Sequence, residues 1–263
     1  MRAVQRAARI ITALAEHPYP MGIAELAARV ALSPASVHRM LATLLEIGWV
    51  DQNSRTAKYR LGTRMFGIGT TGLVTSPVVQ NGHVFLTRLA SSTGHNTALS
   101  TLVGLRVIHL ARAQGRDIGR PDFEPGVSQP AHAMADGKLL LSYLPATERA
   151  YLYQVDGLSR YTPNTIVEPD RLEAELACIR DRGYAVDHYE RFEQTRGIAV
   201  PVLGMDDQPM LAMLCLGIMP DDKKQDEWLA DQMKSLAREM SDYIARMGDM
   251  PRVNTEFAKY NLE

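Results

Sequence analysis

The stretch from Gly22 to Leu61 constrains this chain more than any other. It reads GIAELAARVALSPASVHRMLATLLEIGWVDQNSRTAKYRL. Ile23, Leu26, Ala27 and Val30 recur at helical spacing, with Gly22 as N-cap and Glu25 placed to reach back to the open amides. Ser33-Pro34 opens a second helix, because serine caps well and proline at the first position gives up an amide that has no intrahelical partner. Val37, Met40, Leu41, Leu44 and Leu45 form its apolar face, and Gly48 ends it. Trp49-Val50 and Lys58–Leu61 then read as two short strands around a tip at residues 51–57. Two capped helices, a short turn and a basic hairpin make a winged helix-turn-helix, which sets one helix into the major groove of DNA.

The residues available for that contact follow from the pattern. Ala35, Ser36, Arg39 and Thr43 lie opposite the apolar face, with Ser33 at the entry and His38 at the flank. Serine and histidine donate to phosphate or base edges, and Arg39 suits guanine O6 and N7. Arg55, Lys58 and Arg60 on the hairpin suit the phosphate backbone. Ahead of this pair, Val4, Ala7, Ala8, Ile11, Leu14 and Ala15 predict an amphipathic helix from residue 2 to about 16, stopped at His17-Pro18-Tyr19-Pro20. The other reading is a trihelical packing unit whose polar face is merely solvated.

Charge supports the first reading. Residues 1–64 hold nine Lys/Arg and four acids, a net of +5, while the remainder of the chain is −6. A basic head on an acidic body fits a DNA-binding domain fused to a domain of another kind. Two cysteines, Cys178 and Cys215, are too few for a disulfide framework or a zinc ribbon, and both read as small buried residues. No apolar run reaches the 18 or so residues that span a bilayer, and there is no signal-peptide pattern. The expected location is the cytoplasm.

Gly67-Ile68-Gly69-Thr70-Thr71-Gly72 matches the dinucleotide fingerprint, but no acid follows between Asp51 and Asp117 to hold a ribose. The segment sits instead where an interdomain linker belongs, and its glycines are expected to admit a close helix or some flexibility. No HExxH, GxSxG or P-loop is present. No cofactor, metal or catalytic residue is expected.

Beyond Ser76-Pro77, a helix near residues 78–92 precedes an alternating hairpin at 96–103 and 106–111. Residues 115–129 read as a loop. Helices are expected from near Asp136, over 148–154 and over 170–182, the last ended by Gly183. Strands follow at 184–187, 198–203 and 210–216, the last two joined through Met205-Asp206-Asp207-Gln208. A final helix over 222–247 carries Trp228, Leu229, Met233, Leu236, Met240 and Ile244. Antiparallel strands with helices between and around them predict an α+β domain with a ligand pocket between sheet and helix.

Several segments in this order resemble the IclR family of bacterial transcriptional regulators over nearly the whole chain. They are IAELAARVALSPASVHRMLATLLEIGWV, AHAMADGKLLLSYL, RGYAVDHYE, GIAVPV and MLAMLCLG. The resemblance implies a winged helix-turn-helix at residues 1–62, a linker helix at 63–77, a GAF-like effector-binding domain at 78–248 and a tail at 249–263. It also implies a homodimer, often paired into a homotetramer, that binds double-stranded DNA and a small organic acid. Carried onto this sequence, the effector contacts are Met134, Ala135 and Asp136 at the turn before the Gly137-Lys138 helix, Asp187, Gly197 and Ala199, and Leu214 and Leu216. Free amides at a helix start bind carboxylates well.

The chain departs from the family pattern in two ways. Asp136 stands where a small neutral residue is common, and Leu214 and Leu216 stand where a hydroxyl is often found. A larger, less polar ligand such as an aromatic acid fits better than a two- or three-carbon acid, with Arg191 and Arg196 as candidates to offset Asp136. Plainer roles stay open: Asp187 as the cap of a strand turn, His132 as a satisfied core histidine, and Met205, Met210, Met213 and Met219 as core filler. An alternative for the whole chain is a small-molecule-metabolising enzyme with a structural N-terminal unit; a DNA-binding structural protein without effector is a third.

Overall fold

The computed structural model describes residues 2–17, 19–116, 125–204 and 208–247. The linker between the last two strands at 205–207 and the tail from residue 248 lie outside the described residues. The chain divides into two compact units, Met1–Ser76 and Pro77–Glu263.

The first unit holds α1 (Arg2–Glu16), α2 (Ile23–Arg29), α3 (Pro34–Glu46), β1 (Val50–Gln52), β2 (Tyr59–Leu61) and α4 (Thr63–Thr75). Its core gathers Ile10, Leu14, Leu26, Val30, Val37, Leu41, Leu44, Val50 and Tyr59 from three helices and both strands. Ser33 caps α3 as its sequence requires, its hydroxyl accepting from Ser36 N–H at 3.3 Å. Gly48 takes a φ of +72° just past the helix, where a side chain is disfavoured. Gly22 is the N-cap of α2, as expected. Two local expectations fail. Glu25 turns to within 3.7 Å of His17 Nε2 instead of bonding the helix amides. Val4 is 77% exposed and leaves the α1 stripe. The glycines at 67, 69 and 72 lie inside α4, where an added Cβ would meet nothing within 4 Å; of the two roles expected of them, a closely packed helix is not found among the described residues.

The second unit runs α5 (Pro77–Thr93), β3 (Asn96–Val103), β4 (Arg106–Ala113), β5 (Ser128–Pro130), a 3-10 turn (Ala131–Ala133), α6 (Ala135–Tyr143), α7 (Ala146–Asp156), α8 (Pro169–Arg182), β6 (Ala185–Phe192), β7 (Thr195–Leu203), β8 (Pro209–Gly217) and α9 (Lys223–Met247). The strands form one antiparallel sheet in the order β5-β4-β3-β8-β7-β6. Alternation along each strand gives the sheet two buried faces. Leu99, Ile198, Val200, Met213 and Cys215 pack with α5 and α9 on one. Ala98, Val107, Ala199, Ala212, Leu214 and Leu216 pack with α6 and α8 on the other. Both faces are covered, so the unit is an α+β layered domain.

Two irregularities shape the α6 side. Between Leu99 and Ser100 the β3–β4 register shifts by one residue, and the pairing passes from Leu99↔Ala111 to Ser100↔His109. The bulge turns Val107 and His109 toward α6, although Ala111 and Ala113 of the same strand pack with α5 and α9. In β6 the pairing with β7 breaks between Asp187 and Phe192, and Tyr189 takes a φ of +60° inside the break. Gly137 is fixed by close approach, since a Cβ there would stand 2.2 Å from Ala131 O. Gly183 ends α8 in the left-handed conformation, with φ +71°. Two side chains expected in the core are not in it: Trp228 is 60% exposed, and Cys178 is exposed while Cys215 is buried.

Candidate DNA-contacting surface and ligand site

The first unit presents α3 and the hairpin as one polar, basic surface. Ser33, Ala35, His38, Arg39 and Thr43 are exposed and Ser36 is half-buried, while Val37, Leu41 and Leu44 hold the opposite face in the core. The Ser33 hydroxyl donates to Ser36 Oγ at 2.9 Å, and Thr43 Oγ1 donates to Arg39 O at 3.4 Å. In the hairpin, Asn53 Oδ1 accepts from the Arg55 and Thr56 amides at 3.0 Å each, which shapes the tip. Arg55, Lys58 and Arg60 are exposed, and Arg60 pairs loosely across the strands with Asp51 at 4.0 Å. This unit therefore offers an exposed polar helix face and a cationic edge beside it, the arrangement that major-groove insertion uses.

The second unit brings every carried-over ligand residue to the α6 side of the sheet. Gly197 pairs with Leu216 and with Asp187, and Ala199 pairs with Leu214 and with Ala185, so these side chains share one face. Met134 caps α6, and Ala135 and Asp136 open it without a side-chain cap. The Ala135 and Asp136 amides precede the first i to i−4 acceptor, since the first such bond runs from Lys138 N–H to Met134 O. Met134, Ala135, Asp136, Asp187, Ala199, Leu214 and Leu216 are all fully buried. Gly197 is tightly framed, because a Cβ would come 3.0 Å from Leu214 Cδ1 and 3.1 Å from Leu216 Cδ1.

A buried polar cluster occupies this face. Asp136 Oδ1 accepts from Gly137 N–H at 3.0 Å, and its Oδ2 lies 3.3 Å from His109 Nε2. Lys138, with no exposed surface, donates to Glu190 Oε1 and lies 3.9 Å from Glu175. Asp187 Oδ1 accepts from Glu190 N–H at 2.6 Å, so Asp187 does cap the turn in β6. Thr162 and Thr165 hydroxyls donate to Glu190 O and hold the same turn from outside. Burial pushes the Asp187 carboxyl up to about 8; the neighbouring Glu190 and Asp136 carboxylates add to the rise, and Lys138 opposes it. The arginines named to offset Asp136 are engaged elsewhere. Arg196 forms two hydrogen bonds with Asp226, at 3.0 and 2.6 Å, and Arg191 stacks 4.4 Å over the Tyr161 ring and donates to Gln129. The side chain against Asp136 that sequence reasoning missed is His109, hidden because the β4 bulge sets which face it joins.

His132 behaves as a core histidine. Its Nε2 lies 2.9 Å from Ser159 O, its ring faces Tyr161, and burial lowers its pKa. Among the described residues no three His, Cys, Asp or Glu side chains gather to hold a metal ion, and no helix is long and apolar enough to cross a membrane. A cleft of about 490 Å³ lies on the opposite side of the sheet, between α9 and the end of β7, and shares no residue with this cluster.

A helix-turn-helix head with an exposed basic face, followed by a sheet domain with a buried polar site, defines a DNA-binding transcriptional regulator. The comparisons give it a family. Residues 3–54 match the IclR helix-turn-helix domain, and residues 70–242 match the bacterial transcriptional regulator IclR C-terminal model, so the chain belongs to the IclR family. The HTH-type transcriptional regulator BhcR of Paracoccus denitrificans is 32% identical over 205 residues, 78% of this chain and 73% of that protein. An IclR transcriptional regulator from Alicyclobacillus acidocaldarius superposes with a TM-score of 0.72 at 26% identity, over 93% of this chain and 99% of the other. An IclR homologue from Microbacterium hydrocarbonoxydans, complexed with 4-hydroxybenzoate, shares the fold with a TM-score of 0.65 at 18% identity, over 92% and 99%. The family and these relatives are transcriptional regulators, not enzymes.

Proposed function

We propose that this regulator binds operator DNA as a dimer or tetramer and answers to a small organic acid, aromatic in kind, held between α6 and the sheet. On this reading residues 1–62 grip DNA, residues 63–77 connect, and residues 78–248 bind the effector. Ser33, Ala35, Ser36, His38, Arg39 and Thr43 enter the groove, and Arg55, Lys58 and Arg60 contact phosphates. The effector lies against Met134, Ala135, Asp136, Asp187, Gly197, Ala199, Leu214 and Leu216.

The observation that carries the reading is the convergence of those eight residues, from α6 and three strands, on one buried face beside the opening amides of a helix. Such amides favour a carboxylate, and Leu214 and Leu216 offer an apolar wall against which an aromatic ring packs. The 4-hydroxybenzoate complex of the Microbacterium homologue supports an aromatic acid here. Effector binding then biases the arrangement of two DNA-reading heads, and with it operator affinity.

Gel-shift of the full chain on DNA from upstream of its own coding sequence, with and without a panel of benzoates and short aliphatic acids, tests this. Specific binding that weakens steeply with salt, is lost in Arg39→Ala, and changes with an aromatic acid is expected. Response only to glyoxylate- or pyruvate-sized acids refutes the aromatic assignment, and intact specific binding by Arg39→Ala refutes the recognition-helix assignment.

A further inference from the structure

The α6 side of the sheet holds more buried hydrogen-bonding capacity than the protein uses. Asp136 and Asp187 each spend one carboxyl oxygen on a backbone amide, of Gly137 and Glu190 respectively. Their second oxygens, Asp136 Oδ2 and Asp187 Oδ2, are buried and make no hydrogen bond; the same holds for Ser100 Oγ and Glu190 Oε2. Asp136 Oδ2 sits within 3.3 Å of His109 Nε2 without the alignment of a hydrogen bond. Ser100 lies directly across from His109 in the β3–β4 ladder, on the face that also carries Ala98 and the pair Ala199 and Leu214. Buried polar atoms are nearly always paired, so unpaired oxygens on one face call for a missing partner.

We propose, resting on the ligand reading above, that this partner is a hydrogen-bond donor on the effector: the ligand is a hydroxylated acid, and Asp136 with Ser100 selects it by its hydroxyl group. Asp136 Oδ2, beside the His109 ring but without a hydrogen bond, can accept from a ligand O–H, and the Ser100 hydroxyl either accepts from that group or donates to the ligand carboxylate. An acid lacking the hydroxyl leaves Asp136 Oδ2 buried without a hydrogen bond, and sites built around a ligand hydroxyl reject such analogues by factors of up to about 10⁴. Methylating the hydroxyl does the same and adds bulk. The departure of Asp136 from a small neutral residue thus serves selection.

Titration calorimetry of the full chain with benzoate, 3- and 4-hydroxybenzoate, 4-methoxybenzoate, propionate and lactate decides the matter. A hydroxylated member is expected to bind at least about 100-fold more tightly than its unsubstituted and methoxy counterparts. Asp136→Asn, which places an amide donor where the acceptor oxygen stood, is expected to shrink that ratio at least about tenfold. Should Asp136→Asn fail to fold, Ser100→Ala takes its place with the same expectation. Benzoate binding within about threefold of both hydroxybenzoates overturns the proposal, because buried water then serves those oxygens. Lactate preferred over propionate, with no benzoate bound, supports it while refuting the aromatic reading. Binding of none of the six overturns both.

Discussion

Asp187→Asn isolates the energetics of the buried acid. In the folded chain the carboxyl titrates near 8 against an ordinary 3.8, because burial penalises its charge and Glu190 and Asp136 repel it. Between those two values the folded state keeps a proton that the unfolded state has released. Stability therefore falls as pH rises, by up to about 1.4 kcal/mol per pH unit. The loss at pH 7, relative to pH 3, is on the order of 4 kcal/mol for this one group. Asparagine cannot titrate, yet its side-chain oxygen still accepts from Glu190 N–H, so the turn cap survives. The expected result is a wild-type minus variant stability difference that is level below pH 4, declines toward pH 8 and levels again. The chain has two tryptophans, so a Trp49→Phe background leaves Trp228 on α9 to report urea unfolding of the second unit. A difference that stays constant from pH 3 to pH 8 refutes the reasoning, since Asp187 would then ionise in the folded chain as it does in the unfolded one.

Three further substitutions probe the elements that build the two surfaces. Gly137→Ala would drive a Cβ to 2.2 Å from Ala131 O and 2.4 Å from Ala131 Cα, both backbone atoms, and is expected to cost about 3 kcal/mol or more, read as a lowered Tm. Lys138→Met strands the buried Glu190 carboxylate and is expected to cost roughly 3–5 kcal/mol in urea unfolding, most of it recovered when Glu190→Gln is added. Ser33→Ala removes the cap of α3 and is expected to cost about 1 kcal/mol in the first unit, followed by Trp49 fluorescence, with a matching loss of operator affinity.

Local chemistry made the head legible and hid half of the body's site. The Ser33-Pro34 entry and Gly48 exit are short-range signals, set by amides and dihedral angles within a turn, and α3 begins and ends where they place it. The strands at 198–203 and 210–216 were visible for a similar reason, as unbroken apolar runs, although each extends further than its apolar stretch. His109 was not visible. Alternation along β4 would send residues 107, 109, 111 and 113 to one side, but the extra residue at 110 reverses the sense midway, and only the register with β3 reveals it. The same limit applies to β6, expected to stop at Asp187. It continues to Phe192 through a break that Asp187 itself caps, a contact of a side chain with an amide three residues on. Arg191 and Arg196 illustrate the converse: sequence supplied the right charge, and tertiary packing sent it to Tyr161 and Asp226.

The contrast between the two faces of the sheet argues that the polar cluster serves more than folding. Against α5 and α9 the chain packs Leu99, Val200, Met213 and Ile244, and the buried Arg196 and Asp226 meet in a two-bonded pair. Against α6 it buries Asp136, Lys138, Asp187, Glu190 and His109, and leaves several of their oxygens without donors. Stability alone would not favour this arrangement, because well-packed apolar side chains of similar volume replace buried ion pairs at little or no cost. A raised Asp187 carboxyl and an uncapped α6 start add to the burden. On the reading proposed above, a ligand supplies the missing partners: a carboxylate for the α6 amides and a hydroxyl for Asp136. Groups paired only by the ligand would then provide the differential free energy that a ligand must have to shift a protein between states.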